Sequence, residues 1–315
     1  MKMQEYVSLK KYSTYAIGGE ARYFCQIENE GDVREAIKFA NENQLQIFVL
    51  GGGSNLIISD KGFDGLVIRI QNSKFKIHES QLTVGAGVSM PELVEITTSQ
   101  GLAGLEWAGG LPGSLGGAIF GNAGCFGHEI KEVVKSVRAI DFNGVTRNFT
   151  NEECEFTYRA SKFKRQGIFV ILEAKLALKK GNAEELKKDA QEKMTYRKTR
   201  HPIEYPNIGS IFKNIEQTQE VAKIITRLPE LENDVKTKWY GKIPVAVLIE
   251  KIGFKGRRND GIQISDKHAN FLINMGEGTS FAVANLIKEI KAKVKNEFDI
   301  ELEEEVRYVG FKDNI

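Results

Sequence analysis

Apolar residues at Val33, Ile37 and Ala40 recur at helical spacing behind Asp32, a residue suited to cap a helix, and the apolar run 47–50 after them predicts a short strand. Further strands are predicted at 66–70 and 82–84, and Pro91 sits well as the first residue of a helix reaching about Gln100. Residues 133–142 and 168–178 are again strand-like. The charged stretch 179–200 then changes to a helical pattern with few aromatics, which marks a domain boundary. Beyond it, 246–252 is apolar and 271–274 predicts a buried strand. Ser280 is placed to cap an amphipathic helix striped by Val283, Leu286, Ile287, Ile290 and Val294, and a final strand is expected over 300–309. From Gly101 to Gly127 glycine occurs ten times, too often for regular structure and without a fixed period, so the segment is expected to be loops.

Composition narrows the class. In 315 residues, 41% are apolar and 27% charged, the balance of a globular chain large enough for two or three cores. A net charge of +2 gives no field for phosphate backbones, so nucleic acid is not an expected partner. The first thirteen residues carry charges and no apolar run, and no later run approaches membrane-spanning length, so a cytoplasmic location without membrane attachment is expected. Cys25, Cys125 and Cys154 are widely spaced, without metal-ligand spacing, so neither disulfides nor a metal site is expected.

Two glycine-serine segments carry candidate chemistry. Gly51, Gly52 and Gly53 lack side chains, so backbone N–H groups can converge on an anion, with Ser54 and Asn55 adding donors. No Lys-Ser or Lys-Thr pair closes the loop, and the three-glycine spacing of a Rossmann turn is absent. A flexible turn between strands is the alternative. The second segment holds Pro112, Gly113, Ser114, Gly116 and Gly117 and ends near Asn122; alone it would read as a surface loop. Together the two segments could grip one diphosphate.

The succession Tyr12-Ser-Thr-Tyr-Ala-Ile-Gly-Gly19, Gly51-Gly-Gly-Ser-Asn-Leu56, Leu111-Pro-Gly-Ser-Leu-Gly-Gly117 and Gly121-Asn-Ala-Gly124 resembles the UDP-N-acetylenolpyruvoylglucosamine reductases, within the FAD-binding group typified by p-cresol methylhydroxylase and vanillyl-alcohol oxidase. The resemblance continues through Phe156-Thr-Tyr-Arg159, Gly209-Ser-Ile-Phe-Lys-Asn214, Asp266-Lys-His-Ala-Asn270 and Leu302-Glu-Glu-Glu-Val-Arg307. It implies an α+β fold: a two-part FAD-binding region, 1–78 and 79–180, an α+β substrate domain at 181–298, and a C-terminal strand, 299–315, that returns a catalytic glutamate. It also implies non-covalent FAD, NADPH as co-substrate, a UDP-sugar substrate and a monomer.

By the same resemblance Arg159 holds the substrate carboxylate and stabilises the enolate, Ser210 gives the closing proton, and Glu305 assists at the same carbon. Tyr158, Arg200, Lys213, Asn214 and His268 fall at substrate-contacting positions. The chain departs from the family pattern at Ile215 and Glu304, where proline is frequent, and it lacks the tyrosine-bearing loop of one subtype, so it resembles the shorter one. Two rivals remain at this point. One is a flavin oxidase of the same wider group, with Cys125 or His128 as a covalent tether; the other is a non-catalytic nucleotide-sugar binder.

Overall fold

The computed structural model describes residues 1–311, which divide into two compact units. The first comprises Met1–Ser8, Glu20–Gly53 and Phe63–Thr199; the second comprises Leu9–Gly19, Ser54–Gly62 and the described residues from Arg200 onward. This grouping departs from the sequential division at residues 78, 180 and 298. Leu9–Gly19 and Ser54–Gly62 join the C-terminal third because their backbone partners lie there. Strand Leu56–Ile58 pairs in parallel with Arg307–Val309, and the Ser59 N–H donates to Val309 O at 2.9 Å. The helix Ala183–Arg200, read from sequence as the opening of the substrate domain, falls in the first unit up to Thr199.

The first unit holds two sheets. A four-stranded sheet runs in the order Met3–Ser8, Glu20–Ile27, Phe63–Ile70, Gln46–Leu50, its last three strands parallel. The helix Glu30–Glu42 buries Val33, Ala36, Ile37 and Ala40. Its cap is Asn29 rather than Asp32: the Asn29 side chain accepts from the Asp32 N–H at 3.1 Å, placing Asp32 in the first turn, where its charge favours the helix dipole. The second sheet is antiparallel, in the order Thr146–Thr150, Val134–Asp141, Phe169–Ala177, Gln81–Gly85, Phe75–His78. Helix Met90–Ser99 starts as expected around Pro91, capped by Ser89.

The glycine-rich stretch is not all loop. Leu115–Gly121 is helical, because Ser114 caps it by accepting from the Gly117 N–H and Leu115, Ala118 and Ile119 bury its inner face. In the second unit, the helix Val245–Lys251 and the strands Arg258–Asn259, Ile262–Ile264 and Leu272–Asn274 pack with the helix Ser280–Phe298 around one apolar core. Thr279, not Ser280, caps that last helix; the Ser280 hydroxyl instead donates to Asp60 at 2.8 Å. The expected final strand shortens to Arg307–Val309. The architecture is of the α+β class.

Candidate active site

In the first unit the two glycine segments meet. A Cβ on Gly52 would stand 2.5 Å from Gly113 Cα, and one on Gly51 would stand 2.8 Å from Ser114 Oγ. Gly53, at φ 65°, takes a conformation that side chains disfavour. The second segment is stitched to 86–90 by three backbone bonds, Met90 N–H to Gly113 O, Leu115 N–H to Val88 O and Gly116 N–H to Ala86 O. Gly52, Pro112 and Gly117 are exposed, and next to Gly117 a Cβ would meet only Ser114 Oγ, at 3.5 Å. Backbone bare of side chains is the surface a pyrophosphate requires, so the residues of this unit fit FAD.

Asn122 is fully buried and left-handed at φ 44°. Its amide nitrogen donates to Thr157 O at 2.9 Å and its oxygen accepts from the Lys131 N–H at 3.3 Å. Its amide ties the end of the glycine segment to the turn that carries Arg159. Thr157 and Ala160 bridge across that turn, and Arg159 adopts φ 54°. Its Nη2 donates to Gly124 O at 2.7 Å and its guanidinium lies 5.0 Å from the centre of the Tyr158 ring. Of the neighbouring cations, Lys162 and Arg165 pair with Glu155, and Lys164 Nζ donates to Arg159 O at 3.0 Å.

Sequence reasoning missed Arg197. Its Nε donates to Gly109 O at 3.0 Å and its Nη2 lies 2.9 Å from Cys125 Sγ, so it braces the loop whose Gly124 carbonyl receives Arg159. Burial pushes the Cys125 thiol up against the opposing pull of Arg197 and Arg159, and His128 is paired with Glu132 at 2.9 Å. Neither has the setting of a reactive flavin tether.

The second unit assembles Ser210 and Glu305 on neighbouring segments. Residues 210–213 form the middle of a backbone ladder. On one side Ser210 bridges Phe271, the Ile211 N–H donates to Asn270 O at 2.9 Å, and the Asn270 side chain pairs with both polar groups of the Phe212 backbone. On the other, the Glu305 N–H donates to Ile211 O at 2.8 Å and the Lys213 N–H to Glu303 O at 2.9 Å. Gly209, at φ 81°, has nothing within 4 Å of a Cβ, which leaves open space beside Ser210. Asn270, the last residue of Asp266-Lys-His-Ala-Asn270, was not singled out by the sequence reading.

Asn55 Nδ2 donates to Glu305 O at 3.1 Å and its backbone carbonyl accepts from the Arg307 N–H at 3.1 Å, so Asn55 ties the end of its loop to the Glu305 segment. Ser54 is half-buried beside it. Lys213 is paired with Glu303, and Asn214 and Arg200 are exposed. His268 packs edge-on to His201 and Phe271, and burial lowers its pKa, which favours the neutral ring.

Comparison with known proteins agrees with this division of labour. Residues 21–150 match the family described as FAD binding domain, and residues 201–309 match the UDP-N-acetylenolpyruvoylglucosamine reductase C-terminal domain. The UDP-N-acetylenolpyruvoylglucosamine reductase of Solibacter usitatus is 40% identical over 302 residues, covering 96% of this chain and 95% of the relative. That of Alkaliphilus oremlandii is 36% identical over 304 residues, covering 96% and 91%. The crystal structure of the Thermus caldophilus UDP-N-acetylenolpyruvylglucosamine reductase aligns with a TM-score of 0.77 at 28% identity, covering 98% of this chain and all of that one. With both halves matched and relatives spanning its length, the chain belongs to the UDP-N-acetylenolpyruvoylglucosamine reductase family.

Proposed function

We propose that the chain reduces the enolpyruvyl group of UDP-N-acetylglucosamine enolpyruvate to give UDP-N-acetylmuramate, the peptidoglycan precursor, with Arg159, Ser210 and Glu305 as its catalytic residues. NADPH is the reductant, and bound FAD supplies the hydride. Hydride addition to the double bond leaves negative charge on the carbon and carboxylate beside it. Arg159 answers that charge with a planar fork matched to a carboxylate. Ser210 supplies the proton that closes the reaction, and Glu305 orients the hydroxyl or the carbon that receives its proton.

The ladder that places Ser210 and Glu305 on adjoining backbones is the observation that supports this pairing of roles. The register of the motif Leu302-Glu-Glu-Glu-Val-Arg307, which sets Glu305 two residues before Arg307, supports Glu305 over Glu304 as the catalytic carboxylate. In this reading Tyr158, Arg200, Lys213, Asn214 and the neutral His268 contact the nucleotide-sugar, and Gly51 to Gly53 with Pro112 to Gly117 hold the FAD. No helix among the described residues is long and apolar enough to cross a membrane; a cytoplasmic monomer acting on small molecules is part of the same proposal.

The test separates the two halves of the cycle. In Ser210→Ala, flavin bleaching by NADPH should proceed at a near-normal rate, while reoxidation by the enolpyruvyl substrate should slow by about a hundredfold or more. Ser210→Cys should regain part of that loss because it restores a transferable proton. Equal slowing of both halves by alanine would make Ser210 a structural turn residue.

A further inference from the structure

The carboxylate preceding Glu305 is held by groups from two different elements. Glu304 Oε2 accepts from the Tyr308 hydroxyl at 2.6 Å and its Oε1 from Lys291 Nζ at 2.6 Å, and the Glu304 side chain is only 17% exposed. Lys291 stands on the helix Ser280–Phe298, and Tyr308 on the strand Arg307–Val309. Burial, then the bond to Glu304, pushes the Tyr308 phenol up, which keeps it a donor. All three border a groove of about 390 Å³, so these polar bonds, and not close packing on every side, hold the Glu304 side chain in place.

The backbone gives this bonding a consequence. The ladder bonds flanking the Glu304–Phe212 pair use the N–H groups of Glu305 and Lys213 and leave the Glu304 N–H outside the ladder. Successive side chains on extended backbone leave on opposite sides. Drawing Glu304 toward Lys291 and Tyr308 therefore turns Glu305 the other way.

We infer that Glu304, with Lys291 and Tyr308, is a positioning anchor that fixes the direction in which Glu305 presents its carboxylate. The inference rests on the catalytic reading of Glu305 given above. It makes a two-carbon carboxylate arm, bonded at both oxygens, the substitute for stiffness in the backbone at position 304. Proline, which fixes φ near an extended value and needs no N–H, would supply the same stiffness at this position without removing a ladder bond.

The experiment uses the FAD-loaded enzyme and four variants: Glu304→Gln, Lys291→Met, Glu304→Pro and Glu305→Gln. The first two should slow reoxidation by the enolpyruvyl substrate roughly tenfold, the scale of a misplaced catalytic group, while NADPH reduces the flavin at the wild-type rate. Hydrogen exchange at the Glu305 amide should speed up in the same two variants. Glu304→Pro should regain most of the lost rate and the amide protection. Wild-type reoxidation and amide protection in Glu304→Gln and Lys291→Met, with Glu305→Gln slow, would overturn the anchor and leave the role of Glu305 standing. Equal slowing of both halves, or no recovery in Glu304→Pro, would reduce the trio to a stabilising contact and overturn it as well. A wild-type Glu305→Gln would remove the catalytic reading of Glu305, and the anchor would fall with it.

Discussion

Arg159 shows what a single residue's setting adds to its chemistry. Its left-handed backbone, at φ 54°, is uncommon for a side chain of its size, and one arm of its guanidinium is spent on Gly124 O at 2.7 Å. That bond fixes the orientation of the guanidinium on its loop. Lysine keeps the charge but cannot both bond Gly124 and offer a planar pair of donors. Arg159→Lys should therefore raise KM for the enolpyruvyl substrate and lower kcat, by about tenfold or more together, the scale of a lost charge-assisted bond. Flavin reduction by NADPH should stay intact, and steady-state kinetics with both substrates at the wild-type level would remove Arg159 from the site. The candidate site residues were readable only through the family motifs, because an arginine in a basic stretch, a serine after glycine and one of three consecutive glutamates carry no distinctive signal of their own. The uses of the amides were not. Asn122 bonds a carbonyl 35 residues away and Asn55 one 250 residues away, partners that no local pattern announces.

Among elements, those built on a local apolar stripe were readable: helices Glu30–Glu42 and Ser280–Phe298 and strands such as Gln81–Gly85 lie where periodicity puts them. The extended segment ending in Glu303–Glu305 reads as a strand but its two backbone bonds to 211–213 make only an isolated bridge, since those partners are chosen by tertiary structure. The helix Leu115–Gly121 hid behind its glycines, whose presence answers a different demand, the close passage of two backbones. That passage gives a test. A Cβ at Gly52 would strike Gly113 Cα at 2.5 Å and Gly113 C at 2.9 Å, backbone atoms that cannot rotate away. Gly52→Val should cost about 1–3 kcal/mol of stability by forcing the two segments apart. It should also lower the FAD bound per chain, read by flavin absorbance of the purified protein. Full FAD content with an unchanged melting temperature would show that the crossing tolerates a side chain and that neither packing nor cofactor needs glycine there.

At the scale of the whole molecule, buried acids that must stay protonated set an alkaline limit. Cys25 and Cys154 are fully buried in the first unit, and their thiols are pushed up from about 9 to about 12, by burial first and then by neighbouring carboxylates, Asp32 and Glu35 for Cys25 and Glu153 for Cys154. In the second unit burial raises the Tyr15 and Tyr308 phenols above their ordinary value of 10. The sign follows from which state ionises first. Below the ordinary thiol value both folded and unfolded chains keep these protons, so the groups give no pH dependence. Above it the unfolded chain ionises while the folded chain does not, so stability drains away as pH climbs toward the folded values. Melting temperature should hold up to pH about 9 and fall progressively between 9 and 12, the thiols acting first and the phenols joining above 10. Lysine pairs weaken in the same window, so the thiol share needs its own control. Replacing Cys25 and Cys154 together by alanine should lower the melting temperature at neutral pH, because two buried side chains shrink, yet make its decline above pH 9 shallower. A double variant that declines as steeply as the wild type would assign the alkaline limit to the lysines and phenols, and a wild-type melting temperature that stays level through pH 11 or so would contradict the raised thiol values altogether.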